Sequence, residues 1–131
     1  MTTTKVKKSA GKEQSEHKIQ ADCIKWVRAR AVTSWRFSLF FAIPNGGPRN
    51  AITGSRLKAE GVTPGVPDLF LPMANDDHHG LFIEMKTPSG NVSDAQLDVH
   101  ETLRQRGYRV EVIRSFDEFK HVVLDYIGID K

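Results

Sequence analysis

The sequence predicts an α/β domain. Three observations carry that reading. Short stretches of aliphatic, β-branched and aromatic residues end in turn residues, as strands do. Longer stretches place apolar residues at helical spacing. Two of these open on Ser-x-x-Gln or Ser-x-x-Glu, the signature of a capping box. In chain order the elements read helix, strand, short helix, strand, strand, helix, strand, helix. Without the short helix and the last one, the order is αβββαβ. A chain of 131 residues is long enough for one domain with its own core.

The first helix is expected near residues 15–31, where Ile19, Cys23, Trp26, Val27 and Arg30 form a stripe and Glu16 sits in a first turn that favours acids. Cys23 lies in that stripe and reads as core rather than as a nucleophile. Residues 37–43 are rich in aromatics and read as a strand, stopped by Pro44-Asn45-Gly46-Gly47-Pro48. A short helix is expected over 49–60, and Gly61 to Pro67 reads as a loop. Strands are expected at 68–72 and 81–86, joined by a polar loop containing Asp76, Asp77, His78 and His79. Ser93 and Gln96 cap a helix running to about Arg106, with Gly107 as its C′ residue. A strand follows at 108–113, with Val110 and Val112 on one face. Ser115 and Glu118 read as a second capping box, opening a last helix striped by Phe116, Phe119, Val123, Tyr126 and Ile127 and closed by Gly128.

Composition excludes several classes. One cysteine rules out an internal disulfide framework and suits a reducing compartment. No apolar run reaches transmembrane length, and no apolar core follows the basic N-terminus as in a signal peptide. A cytoplasmic protein without a membrane partner is expected. The net charge is +3, but Lys5, Lys7, Lys8 and Lys12 put +4 into residues 1–12, so the remainder carries about −1. Residues 1–13 read as a disordered basic tail, and 14–131 as the folded domain. Charge alone therefore does not identify a nucleic-acid binder.

The chemistry concentrates in Gly65-Val66-Pro67-Asp68 and Ile83-Glu84-Met85-Lys86. Side chains alternate along a strand, so Glu84 and Lys86 share a face, roughly 6.6 Å apart along the backbone. Ile83 and Met85 point the other way, into a core. Fifteen residues separate Asp68 from Glu84, enough for a loop between two adjacent antiparallel strands that would bring the acids side by side. Paired carboxylates repel unless a cation lies between them, and hard oxygen ligands suit Mg²⁺. An isolated Glu-x-Lys on an exposed edge strand is the bland alternative. The apolar neighbours of Glu84 argue against it, because a buried charge requires a partner.

Pro67-Asp68 followed by Glu84-Met85-Lys86 resembles the signature of the PD-(D/E)xK nucleases. With Pro44-Asn45-Gly46-Gly47, Gly61 to Leu69, Ser93 and Gln96, the chain resembles the VRR-NUC (virus-type replication-repair nuclease) branch from about Glu16 to Ile127. The resemblance implies a restriction-endonuclease-like αβββαβ core, a mixed sheet flanked by helices. It implies Mg²⁺-dependent hydrolysis of DNA, with Mn²⁺ as a substitute. Asp68, Glu84, Lys86 and Gln96 become catalytic candidates. Glu16, Asp68, Glu84 and the backbone carbonyl of Met85 become metal-ligand candidates. Gln20 matches the glutamine that follows the family's helical glutamate. Asn45, Arg49, Arg56 and Lys58 are candidate DNA contacts in the most basic part of the folded region.

Stand-alone members this short resemble phage and bacterial proteins that cut four-way (Holliday) junctions as homodimers. Larger relatives are flap- and crosslink-processing repair nucleases with added DNA-binding domains, for which this length leaves no room. A structure-selective endonuclease is the first expectation, and a less selective or flap-type nuclease the second. Two other classes compete: a non-catalytic nucleic-acid-binding module, and a metal-binding protein using the Asp76–His79 cluster. Trp35, Phe37, Phe40 and Phe41 exceed what one small face needs, so part of them is expected at a dimer interface.

Overall fold

The computed structural model describes residues 13–44 and 51–129. Most of the expected basic tail lies outside these residues, as do the turn residues 45–48, Asn45 and Arg49. Helix α1 spans Glu16–Ala31, where the Ser15 hydroxyl accepts the N–H of Lys18 at 3.1 Å as its N-cap. Ile19, Cys23 and Val27 are its buried stripe. Arg30 lies over the rings of Trp26 and Phe37, at 5.2 and 5.1 Å from their centroids.

The strand expected at 37–43 is not formed as such. A 3-10 helix occupies Trp35–Leu39, and only Phe41–Ala42 is extended, as strand β1. Packing overrides propensity here. Phe37 is buried, with Trp26 edge-on to it at 5.5 Å. The Ser38 hydroxyl donates to the carbonyl of Trp35 at 2.6 Å, closing the tight turn. Phe37 therefore belongs to the chain's own core and Phe40 packs partly against it, whereas Trp35 and Phe41 are exposed.

Helix α2 (Ala51–Ala59) precedes strands β2 (Leu69–Leu71) and β3 (Leu81–Met85). Helix α3 (Asp94–Gln105), strand β4 (Arg109–Ile113) and helix α4 (Phe116–Ile127) complete the chain. The sheet is mixed, in the order β1-β2-β3-β4. The pairs β1/β2 and β2/β3 are antiparallel, and β3/β4 is parallel, with α3 as the crossover. Strand β3 thus lies between two neighbours, and all five of its residues are buried.

One face of the sheet presents Leu69, Leu71, Leu81, Ile83, Met85 and Ile113 to the buried stripes of α1 and α4. The other face carries Phe70, Phe82 and Glu84 and meets α3. On β4, Val110 is buried and Val112 half-buried.

Both bonds of the expected capping box at Ser93 and Gln96 form. At the second, Ser115 accepts the N–H of Glu118, but the Glu118 carboxylate takes the N–H of Arg114 instead of that of Ser115. The reciprocal half of that box is displaced by one residue. Gly107 and Gly128 have φ of 96° and 85° and end their helices as expected. Among the described residues, no helix is long and apolar enough to cross a membrane.

Candidate active site

Pairing of Leu69 with Ile83 places Asp68 opposite Glu84 at the end of the β2/β3 ladder. Asp68 is anchored on two sides. Its backbone carbonyl accepts the N–H of Ile43 at 2.8 Å, and its Oδ2 accepts the N–H of Met85 at 2.7 Å. The approach depends on Gly65, whose φ is 92° and whose missing Cβ would lie 2.5 Å from the carbonyl oxygen of Ala95 in α3. A side chain there would force the Gly65–Asp68 loop off the helix.

Glu84 is 2% exposed, which removes the exposed edge-strand reading. Gln96 Nε2 donates to its Oε2 at 3.1 Å, and His100 Nε2 lies 3.3 Å from its Oε1. Burial foremost, then the charge of Asp68, pushes the Glu84 carboxyl up to about 8, with Lys86 opposing and Glu16 adding to the rise. His100 is moved the other way, below its ordinary range, by burial and then by the positive charges of Arg104 and Lys86. Both directions disfavour the charged forms, the same burial acting on the two partners of the Glu84–His100 contact.

Lys86 follows β3 on the same side as Glu84 and is itself buried, with its N–H bonded to the carbonyl of Ile113 at 2.9 Å. The segment after it is held by Arg114, whose Nη1 donates to the carbonyls of Thr87, Pro88 and Gly90 at 2.8, 3.3 and 2.7 Å. Gln96 does two things at once: its Oε1 accepts the N–H of Ser93, and its Nε2 reaches Glu84. Met85 sends its side chain into the core, so only its backbone borders the site.

Glu16 is exposed in the first turn of α1, and its charge reaches the Glu84 carboxyl. Gln20 is half-buried one turn on. Arg56 and Lys58 are exposed near the end of α2.

No three or more His, Cys, Asp or Glu side chains among the described residues are grouped to hold a metal ion by themselves. The acid pair nonetheless fits a divalent cation. It offers two hard oxygen donors on paired strands, and burial and then the neighbouring Asp68 charge, which a cation would offset, make Glu84 resist ionising. The Asp76–His79 segment is the turn its residue types suggest. Asn75 Oδ1 accepts the N–H groups of Asp77 and His78 at 2.9 and 2.8 Å.

His100 had no motif to announce it. Its one sequence signal is the four-residue spacing from Gln96, which puts both on one face of α3.

A mixed sheet with a buried acid on its central strand, a second acid beside it and a lysine two residues on defines a nuclease-type α/β domain. The family model of the VRR-NUC domain matches residues 14–117, and the chain belongs to this family. A solved structure described as a VRR_NUC domain protein superposes with a TM-score of 0.76 at 25% identity, covering 92% of this chain and 93% of that one. No curated protein matches the chain.

Proposed function

We propose that this protein is a divalent-cation-dependent endodeoxyribonuclease that cuts branched DNA, four-way junctions first, as a homodimer. The observation that carries the reading is Asp68 against Glu84 across β2 and β3, with buried Lys86 on the same face. A buried carboxyl pushed up to about 8 beside a second acid is the kind of perturbation functional sites hold.

Asp68, Glu84 and the carbonyl of Met85 are the ligands for Mg²⁺, or Mn²⁺ in its place, with Glu16 assisting through water. When bound, the ion supplies an activated water and neutralises charge building on the phosphate. Lys86 orients the attacking water and stabilises the transition state. Gln96 holds Glu84. Arg56 and Lys58 contact phosphates, adding affinity that is independent of sequence and sensitive to salt; Asn45 and Arg49 are proposed as DNA contacts beside them in the sequence.

Resolving a four-way junction takes two nicks related by a two-fold axis, and one domain with one acid pair makes one. A C₂ homodimer supplies both. Exposed Trp35 and Phe41 are the part of the aromatic segment free to meet a second copy.

The test is Mg²⁺-dependent cleavage of four-way junction, flap, single-stranded and linear duplex DNA, with light scattering on the same samples. Paired symmetric nicks in the junction by a dimer support the reading. Preferential flap cutting by a monomer replaces it with the flap-type nuclease. Binding without cutting replaces it with a binding module.

A further inference from the structure

We infer that His100 is a positioning residue: with Gln96 it clamps the two oxygens of Glu84 so that this carboxylate faces Asp68 and the pair accepts one divalent cation. This rests on the proposed nuclease reading and assigns a role to a residue outside the acid–lysine signature. Three observations carry it.

First, α3 presents Gln96 and His100 one turn apart, and each takes a different oxygen of Glu84, Oε2 at 3.1 Å and Oε1 at 3.3 Å. Two contacts on separate oxygens fix both the place and the rotation of a carboxylate, whereas one leaves it free to swing.

Second, the Gln96 amide has no freedom to flip. Its oxygen is occupied by the N–H of Ser93 at 2.8 Å, so its nitrogen must face Glu84. His100 therefore meets a partner already held from the other side.

Third, the contact is dry. The His100 side chain is 1% exposed and that of Glu84 3%, so loss of the imidazole leaves a Glu84 oxygen short of a partner away from bulk solvent. The same helix also sets the other acid, because the Gly65 position lies against Ala95 and Val99, the residues just before Gln96 and His100. One face of α3 is thus the common reference for Asp68 and Glu84. Groups that orient metal-binding carboxylates from behind commonly alter affinity by about 10–100-fold when lost.

The experiment compares the full chain with His100→Leu and His100→Gln. It titrates DNA-free protein with Mn²⁺ by calorimetry, follows thermal unfolding with chelator present, and measures four-way junction cleavage against metal concentration. His100→Leu is expected to weaken Mn²⁺ binding by about 10-fold or more. Its cleavage should fall at low metal and recover as metal is raised. His100→Gln, which keeps a donor at this position, is expected to restore most of the affinity.

A folded His100→Leu protein that binds Mn²⁺ as the wild type does overturns the inference, as does a His100→Gln protein no better than His100→Leu. If His100→Leu does not fold, His100→Asn, whose shorter amide does not reach Glu84, must show the same loss, and normal binding by it overturns the inference. Wild-type protein that binds Mn²⁺ in this His100-dependent way but cuts no DNA sinks the nuclease reading and leaves the clamp standing. Wild-type protein that cuts DNA while the His100 variants bind Mn²⁺ normally sinks only the clamp.

Discussion

Asp68 Oδ2 accepts the backbone N–H of Met85 at 2.7 Å, so the first acid is tied to the very strand that carries the second. The bond sets the spacing of the two carboxyl groups through the backbone.

Asp68→Asn and Asp68→Ala should therefore differ. Asparagine retains an acceptor for Met85 and loses the charge. Its fold should persist while cleavage drops by about two orders of magnitude or more, the loss expected when a Lewis-acid ion is held poorly. Alanine also leaves the Met85 N–H unpaired, at an added cost of about 1–3 kcal/mol. Urea denaturation beside cleavage rates separates the two. Equal stability of the two variants would contradict the anchoring role.

Glu84 makes stability depend on pH in a stated direction. Its carboxyl rises from 4.5 to about 8 on folding, so the folded state binds the extra proton between those values. The stabilising effect of the protonated group is complete below about 4.5 and lost as pH climbs through about 8. With chelator present, Glu84→Gln should gain stability relative to wild type from pH 5 to pH 8. Urea midpoints at the two pH values check this, and a constant difference would contradict it. Cleavage should vanish in this variant at every pH.

Lys86→Met keeps the buried stem and removes the charge. Junction cleavage should fall by two orders of magnitude or more, in the range of a lost electrostatic stabiliser. Junction binding in chelator should stay within a few-fold of wild type, because Lys86 is buried rather than part of the exposed basic surface. A mobility-shift titration beside single-turnover rates decides; binding that collapses with cleavage would make Lys86 a DNA contact.

Gly65→Ala should be costly and Gly61→Ala less so. Both glycines have positive φ, 92° and 104°, so both substitutions carry backbone strain of about 1–3 kcal/mol. Only at Gly65 does the new Cβ also meet a backbone oxygen, at 2.5 Å, whereas nothing lies within 4 Å at Gly61. Gly65→Ala should therefore lose more stability and also cleave more slowly, because Asp68 is displaced with the loop. Equal loss at both positions would show that strain alone matters.

The legible parts of this fold are those written in local chemistry. Ser15, Ser93, Gly107 and Gly128 mark helix ends by side-chain acceptors and by left-handed backbone, both visible in the sequence. The alternation around Glu84 revealed which face it takes. What escaped depends on partners distant in sequence. The aromatic stretch after Trp35 has strand composition, yet Trp26 of another helix decides that Phe37 turns inward. His100 finds Glu84 sixteen residues away, and Arg114 finds the carbonyls of Thr87 to Gly90 more than twenty away. Neither pairing leaves a periodic trace.

The complete burial of β3 has a consequence for how such a domain would age once cutting is no longer needed. Glu84 is the one acid on a strand otherwise made of Leu81, Phe82, Ile83 and Met85. A buried acid costs stability unless neighbours pair with it, as Gln96 and His100 do here. Replacement by leucine or methionine would remove that acid but leave the buried Gln96 amide and His100 imidazole without it as a partner. Arg56 and Lys58, outside the strand, would be untouched, so on the proposed reading DNA binding would persist. On that reading, loss of the acid alone leaves a protein that grips without cutting, and a sturdier one only if Gln96 and His100 change with it.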